Sequence, residues 1–150
     1  MDGHVLDVFS RKLYLKNIYR NHEVWQRQSY GQQGINLPTV LVTNRHTVSD
    51  GECFVEGYRA ESLGLVVGER TAGEVVVTGG AALVDGSSMS LPTGRTVERD
   101  GTDLERHPRP VDIEVIQEPG GGVSGADREL DAAIRVLLRK TAMRQTRPAK

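Results

Sequence analysis

The sequence predicts an α/β domain in which parallel strands alternate with helices, followed by a hairpin-rich region, and three observations carry that reading. Thr39-Val-Leu-Val-Thr43 is an unbroken run of β-branched and apolar residues, the pattern of a central strand covered on both faces in a parallel sheet. Asp50 to Glu61 places Cys53, Phe54, Gly57, Tyr58 and Ala60 on one helical face, and Leu63-Gly-Leu-Val-Val67 resumes the apolar run. Strand, helix and strand in this order make a right-handed crossover. Beyond Gly73, the short runs Val75 to Val77, Ala81 to Val84 and Ser88 to Leu91 are separated by Gly79-Gly80 and Asp85-Gly86, both hairpin signals, the second the stronger.

The flanking elements follow the same logic. Val5, Leu6, Phe9, Leu13 and Tyr14 recur at helical spacing, which predicts an amphipathic helix over Val5 to Leu15. Asn17 to Gly34 carries Tyr19, Trp25 and Tyr30 at no clean period and reads as a surface excursion. Thr96 to Glu98 and Val111 to Ile116 add extended pieces around Asp100-Gly101. A Gly-rich linker over Pro119 to Gly125 precedes Asp127, a suitable N-cap for a helix from Arg128 to Arg139 bearing Leu130, Ala133, Ile134, Leu137 and Leu138. After Lys140 the expectation is a basic, disordered tail with Arg144, Arg147 and Lys150.

Composition narrows the class. A chain of 150 residues suits one domain with a core, and a net charge of −1 with 26% charged residues gives no field to steer it onto nucleic acid or a membrane surface. No apolar run reaches the length of a membrane span, and Asp2, His4 and Asp7 stand where a signal peptide would need a basic start. The expected location is cytoplasmic. The single cysteine, Cys53, cannot form an internal disulfide and reads as a small helix residue. Neither a cofactor nor a metal is indicated.

One position carries chemistry. The strand ending at Thr43 runs into a short turn that stops at Ser49, and a serine where a strand ends and a helix begins lies beside free backbone N–H groups. Such a serine can be a nucleophile with an anion site next to it. From spacing alone, Ser49-Asp-Gly-Glu52 is equally a capping box, with the hydroxyl on a downstream N–H and Glu52 reaching back.

An ordered set of segments adds to this. Thr39-Val-Leu-Val-Thr-Asn44, Ser49-Asp-Gly-Glu52, Gly64-Leu-Val-Val-Gly-Glu-Arg-Thr-Ala-Gly73, Leu83-Val-Asp-Gly-Ser-Ser-Met-Ser-Leu-Pro92, Asp100-Gly-Thr-Asp-Leu-Glu105, Pro110-Val-Asp-Ile-Glu-Val115 and Asp127 with Leu130 to Ala133 follow one another over residues 38–139. In order and spacing this set resembles the catalytic domain of the tail-specific, or C-terminal-processing, serine peptidases, and most closely their tricorn-type branch. The resemblance implies a ClpP/crotonase-like fold, with residues 1–140 a C-terminal portion of the catalytic domain. It also implies that Ser49 is the nucleophile and that the Asp50 backbone N–H lines the oxyanion hole.

A second oxyanion donor in the family comes from a Gly-rich turn that opens a helix, which Asp2-Gly3-His4 resembles, so Gly3 is the further candidate. The serine-lysine branch carries a lysine after its Gly-Glu-x-Thr-x-Gly motif, and here that position is Glu74. A carboxylate cannot replace a lysine base. The tricorn-type branch uses a histidine oriented by a serine and a glutamate, and Glu105 aligns with that glutamate. The family's histidine lies far upstream of the serine, in a portion that has no counterpart in this sequence. Of the four histidines, His46 reads as a turn residue, His107 as a loop residue, and His4 and His22 have no motif support.

The expected function is therefore serine-type hydrolysis of peptide or protein substrates, with the base missing from this chain. A homo-oligomer or a complementary N-terminal polypeptide is the expected partner. Three readings remain beside it: an inactive peptide-binding remnant or subunit of a split peptidase, a crotonase-like acyl-CoA enzyme, and a structural or assembly role.

Overall fold

The computed structural model describes residues 2–11, 20, 35, 37–118 and 125–145. The elements run α1 (Asp2–Ser10), β1 (Thr39–Thr43), α2 (Asp50–Ala60), β2 (Gly64–Gly68), β3 (Val76–Ala82), β4 (Ser88–Arg95), β5 (Ile113–Glu114) and α3 (Arg128–Gln145). The aromatic excursion with His22, the continuation of the first helix to Leu15, most of the Gly-rich linker and residues 146–150 lie outside the described residues.

β1, β2 and β5 form a parallel sheet in the order β1-β2-β5. The predicted crossover is present, but β2 rather than β1 is the middle strand of the described sheet. Val66 and Val67 on β2 are fully buried, whereas Val42 on β1 is exposed. β5 is shorter than the predicted Val111 to Ile116. Asp112 accounts for this, because its Oδ2 accepts the Val66 N–H at 2.8 Å, a bond that a longer strand would have made with its backbone.

α2 buries Glu52, Val55 and Tyr58, a face rotated from the one its apolar residues predicted. Val55, Tyr58 and Val66 form the core, with Leu6, Leu41, Phe54, Leu63 and Val111 packed around them. The Tyr58 hydroxyl is satisfied at 2.7 Å by Thr39 Oγ1, which itself donates to the Leu63 carbonyl, so this buried phenol costs no unmade hydrogen bond. α1 lies against α2 where Gly57 leaves room for the Leu6 side chain, and Phe9 meets Phe54 edge to face. Phe9, Ser10 and Arg11 share a cavity with Glu61, Ser62 and Leu63 beyond the end of α2.

β3 and β4 pair antiparallel as a ribbon with β4 exposed along its whole length. Its turn is at Asp85-Gly86, as the stronger signal predicted: Asp85 Oδ1 accepts from Ser87 N and Oγ, and Gly86 takes φ 84°. Gly79-Gly80, the other predicted break, instead continues β3. A Cβ on Gly79 would lie 2.8 Å from Thr93 Cγ2, so that glycine admits a cross-strand neighbour rather than a turn. α3 follows its Asp127 cap, whose Oδ1 accepts the Leu130 N–H, and continues to Gln145, beyond Arg139 and into the stretch expected to be a disordered tail. The Thr141 hydroxyl donates to the Leu137 carbonyl within that extension, a bond only a continuing helix offers.

Gly68 closes β2 with φ 120°, and a Cβ there would lie 2.0 Å from the Thr43 carbonyl oxygen. Gly68→Ala combines a disallowed backbone with a clash against a neighbouring strand. It is expected to lower unfolding free energy by more than about 2 kcal/mol in urea titration, whereas Gly86→Ala, in open space, is expected to lose only about 1 kcal/mol.

Candidate active site

Ser49 occupies the turn between β1 and α2, exposed, with φ 53° and ψ −122°. A non-glycine residue in that region is strained by roughly 1–3 kcal/mol and is held there only by its surroundings. The sharp turn from strand to helix is what lifts a serine Oγ clear of the backbone. Its hydroxyl makes no cap hydrogen bond, and Glu52 does not reach back to it, so the capping box predicted from spacing is not formed.

Glu52 points inward instead. It is fully buried, and its carboxylate accepts the Thr71 hydroxyl, the Gly73 N–H at 2.8 Å and the Glu74 N–H at 2.7 Å. Its place in the first turn of α2 sets its charge against the positive end of the helix dipole. The loop it gathers is tied directly to the serine turn: Ala72 N–H donates to the Thr47 carbonyl at 3.0 Å, and Ser49 N–H donates to the Glu74 carbonyl at 2.9 Å. The Glu74 side chain is exposed, and the residue serves through its backbone.

Glu105 joins the same unit. Its Oε2 accepts the Val75 N–H at 2.7 Å, and that N–H belongs to the peptide group whose carbonyl, on Glu74, accepts from Ser49. One peptide group therefore lies between the serine backbone and the Glu105 carboxylate, which is half-buried rather than a free loop carboxylate. No acceptor among the described residues takes the Asp50 N–H, the first of α2, so it remains available to an anion. Gly3 lies exposed in the first turn of α1 with open space around it.

No described imidazole bonds to Ser49 or Glu105. His46 is exposed and its backbone N–H donates to Asn44 Oδ1; His107 is exposed and its backbone carbonyl accepts from the Arg109 guanidinium. His4 lies exposed on α1. No group of three or more His, Cys, Asp or Glu side chains among the described residues is arranged to hold a metal ion.

Sequence reading missed Arg109. It is 5% exposed, and its guanidinium joins Glu56 on α2 at 2.9 Å to Glu98, while its N–H donates to Thr71 Oγ1 at 2.7 Å. Thr71 passes that bond on to Glu52, so the ribbon base, α2 and the serine turn are one connected network. Burial disfavours the Arg109 charge, but Glu98 and Glu56 outweigh it and hold its pKa above the ordinary value. Arg109 stands in a proline-flanked loop with no periodicity, and only its clustering with acidic residues in space reveals it.

The model of peptidase family S41 matches residues 4–115. The tricorn protease homolog 1 of Streptomyces coelicolor is 36% identical over 124 residues, covering 81% of this chain and 11% of its own length. The tricorn protease of Thermoplasma volcanium is 30% identical over 146 residues, covering 91% of this chain and 14% of its own. Among solved structures, the crystal structure of the tricorn protease superposes with a TM-score of 0.81 at 24% identity, over 93% of this chain and 14% of that one. The photosystem II D1 C-terminal processing protease gives 0.52 at 23% identity, over 77% and 28%. These establish the α/β peptidase fold, and the chain spans less than a sixth of the length of these two sequence relatives.

Ser49→Gly removes the backbone strain and no hydrogen bond. It is expected to raise unfolding free energy by ~1 kcal/mol, while Ser49→Ala leaves it within about 0.5 kcal/mol of the parent, both read by urea titration.

Proposed function

The chain belongs to peptidase family S41, and from that membership we propose that it is the nucleophile-bearing part of a tricorn-type serine peptidase. Ser49 Oγ attacks the scissile carbonyl carbon, a general base takes the hydroxyl proton, and the carbonyl electron pair moves onto oxygen. The Asp50 N–H meets that oxyanion, with the Gly3 N–H as the second donor, each worth about 3 kcal/mol in the transition state. Collapse of the intermediate expels the amine, which takes up the base's proton, and leaves an acyl-serine for water to cleave. The observation that carries this reading is the Ser49 backbone at φ 53° and ψ −122°, a strained turn that the Glu52 network holds in place.

The base in this reading is a histidine from polypeptide outside this sequence, oriented by the Glu105 carboxylate; the absence of any described imidazole bonded to Ser49 or Glu105 supports it. Losing a triad member costs about 10³ to 10⁶ in rate, so the chain by itself is a weak peptidase. Its partners are a peptide substrate and either further copies or a complementary polypeptide. A second reading, binding of extended peptide without cleavage, rests on the same missing base.

Fluorophosphonate labelling, located by mass spectrometry, tests both parts. The chain alone is expected to label Ser49 slowly, and added imidazole to speed that labelling in the parent but not in Ser49→Ala. Rapid labelling without imidazole would overturn the external base. A Ser49 that stays unlabelled in both conditions would overturn the nucleophile and favour the binding reading.

A further inference from the structure

A cavity of about 390 Å3 opens at the C-terminal ends of β1 and β2, lined by Asn44, Arg45, His46, Glu69, Gln117 and Glu129. In parallel α/β sheets this is where ligands bind. Most of its polar atoms are already engaged. Both Glu69 oxygens take the Arg45 guanidinium, at 2.7 and 2.8 Å. Gln117 donates to the Ala126 carbonyl and accepts from Arg128 N–H, and Asn44 Oδ1 accepts the His46 N–H. Glu129, in the first turn of α3, keeps an unmet oxygen: the residue is 9% exposed, the Asn44 carboxamide is the neighbouring side-chain donor to its carboxyl group, and Oε1 is buried with no hydrogen-bond partner among the described residues.

We propose that this cavity is a binding site for an organic monocation, an alkylammonium or guanidinium group, with Glu129 as its counter-charge. A buried carboxyl oxygen without a donor needs one, and a cationic N–H donor supplies bond and charge together. Arg45 makes its hydrogen bonds to Glu69 and reaches Glu129 only as a charge at longer range. An anion finds the guanidinium of the lining, Arg45, already paired with Glu69, and a metal ion would find one unpaired carboxylate, short of the ligand set that hard cations require. Burial first, then repulsion from Glu69 and Asp127, pushes the Glu129 carboxyl above the ordinary range against the opposing pull of Asn44 and Arg45. A bound cation would reverse that push.

His46, in the lining, stands three residues before Ser49 on the connection between β1 and α2. The shared chemistry has two sources, a lysine or arginine side chain and a peptide N-terminus. The inference stands apart from cleavage, because occupancy is read without any bond being broken.

The experiment follows the Glu129 carboxyl carbon by NMR during pH titration of the full chain with N-acetyl-lysinamide, alaninamide or N-acetyl-alaninamide. N-acetyl-lysinamide, alaninamide or both are expected to move the Glu129 midpoint back toward the ordinary carboxylate range, and the responding arm names the source. N-acetyl-alaninamide is expected to leave it in place. Glu129→Gln keeps the side-chain shape and is expected to weaken binding of the active probe about tenfold or more. An unmoved midpoint with both cations, an equal response to the uncharged probe, or unchanged binding by Glu129→Gln would each overturn the proposal. The midpoint of the parent chain decides the matter if that variant does not fold.

Discussion

The buried carboxylate of Glu52 is the constraint on which the rest of the site depends. A charged side chain out of contact with water survives only if its lone pairs are met, and three donors meet them: the Thr71 hydroxyl and the N–H groups of Gly73 and Glu74. Those donors belong to the loop after β2, whereas Glu52 belongs to α2. The interaction therefore fastens the loop to the base of the helix. With the loop fixed, the Glu74 carbonyl is in place for the Ser49 N–H and the Thr47 carbonyl for the Ala72 N–H. The strained serine turn is thus over-determined from both sides, the condition under which a residue keeps an unfavourable backbone. Leaving a buried carboxylate short of one such donor costs about 1–3 kcal/mol.

The same loop carries the link to Glu105. A peptide group is rigid and planar, so fixing the Glu74 carbonyl on Ser49 also fixes the direction of the Val75 N–H and with it the carboxylate that receives it. Arg109 closes the network from the other side, joining Glu98 beyond the ribbon to Glu56 on α2 and reaching Glu52 through Thr71. Chemistry and fold are not separable here. The groups that hold the serine turn are those that hold α2 to the loops after β2 and β4.

Much of the fold was legible because hydrophobic period and turn chemistry are local. The β-branched run of β1, the apolar run of β2 and the Asp85-Gly86 turn declare themselves within a few residues. What escaped reading was set by distant neighbours. The buried face of α2 was misjudged because it contains Glu52, a residue that no hydrophobic pattern places inside. Gly79-Gly80 looked like a turn because the need to admit Thr93 lies on the opposite strand. β2 displaced β1 from the middle of the described sheet because Asp112 brings β5 alongside it. At the site, Ser49 was visible from its place between strand and helix, but spacing could not separate a cap from a nucleophile. The backbone angles at Ser49 and the inward turn of Glu52 removed the capping box. The ordered motifs made the family legible, whereas Arg109 and the unpaired Glu129 oxygen, which depend on contacts across the fold, had no signature in the sequence.

The central claim is that Glu52 holds the serine turn through the loop, and amide hydrogen exchange tests it most directly. In Glu52→Gln the carboxamide retains one acceptor but turns an NH2 group toward a donor. The account predicts that exchange at Gly73, Glu74 and Ser49 speeds up by about tenfold or more, a loss of about 1.4 kcal/mol in local protection, while amides of β2 keep theirs. Unchanged exchange at Ser49 with faster exchange at Gly73 and Glu74 would contradict it, because the serine turn would then stand without the loop.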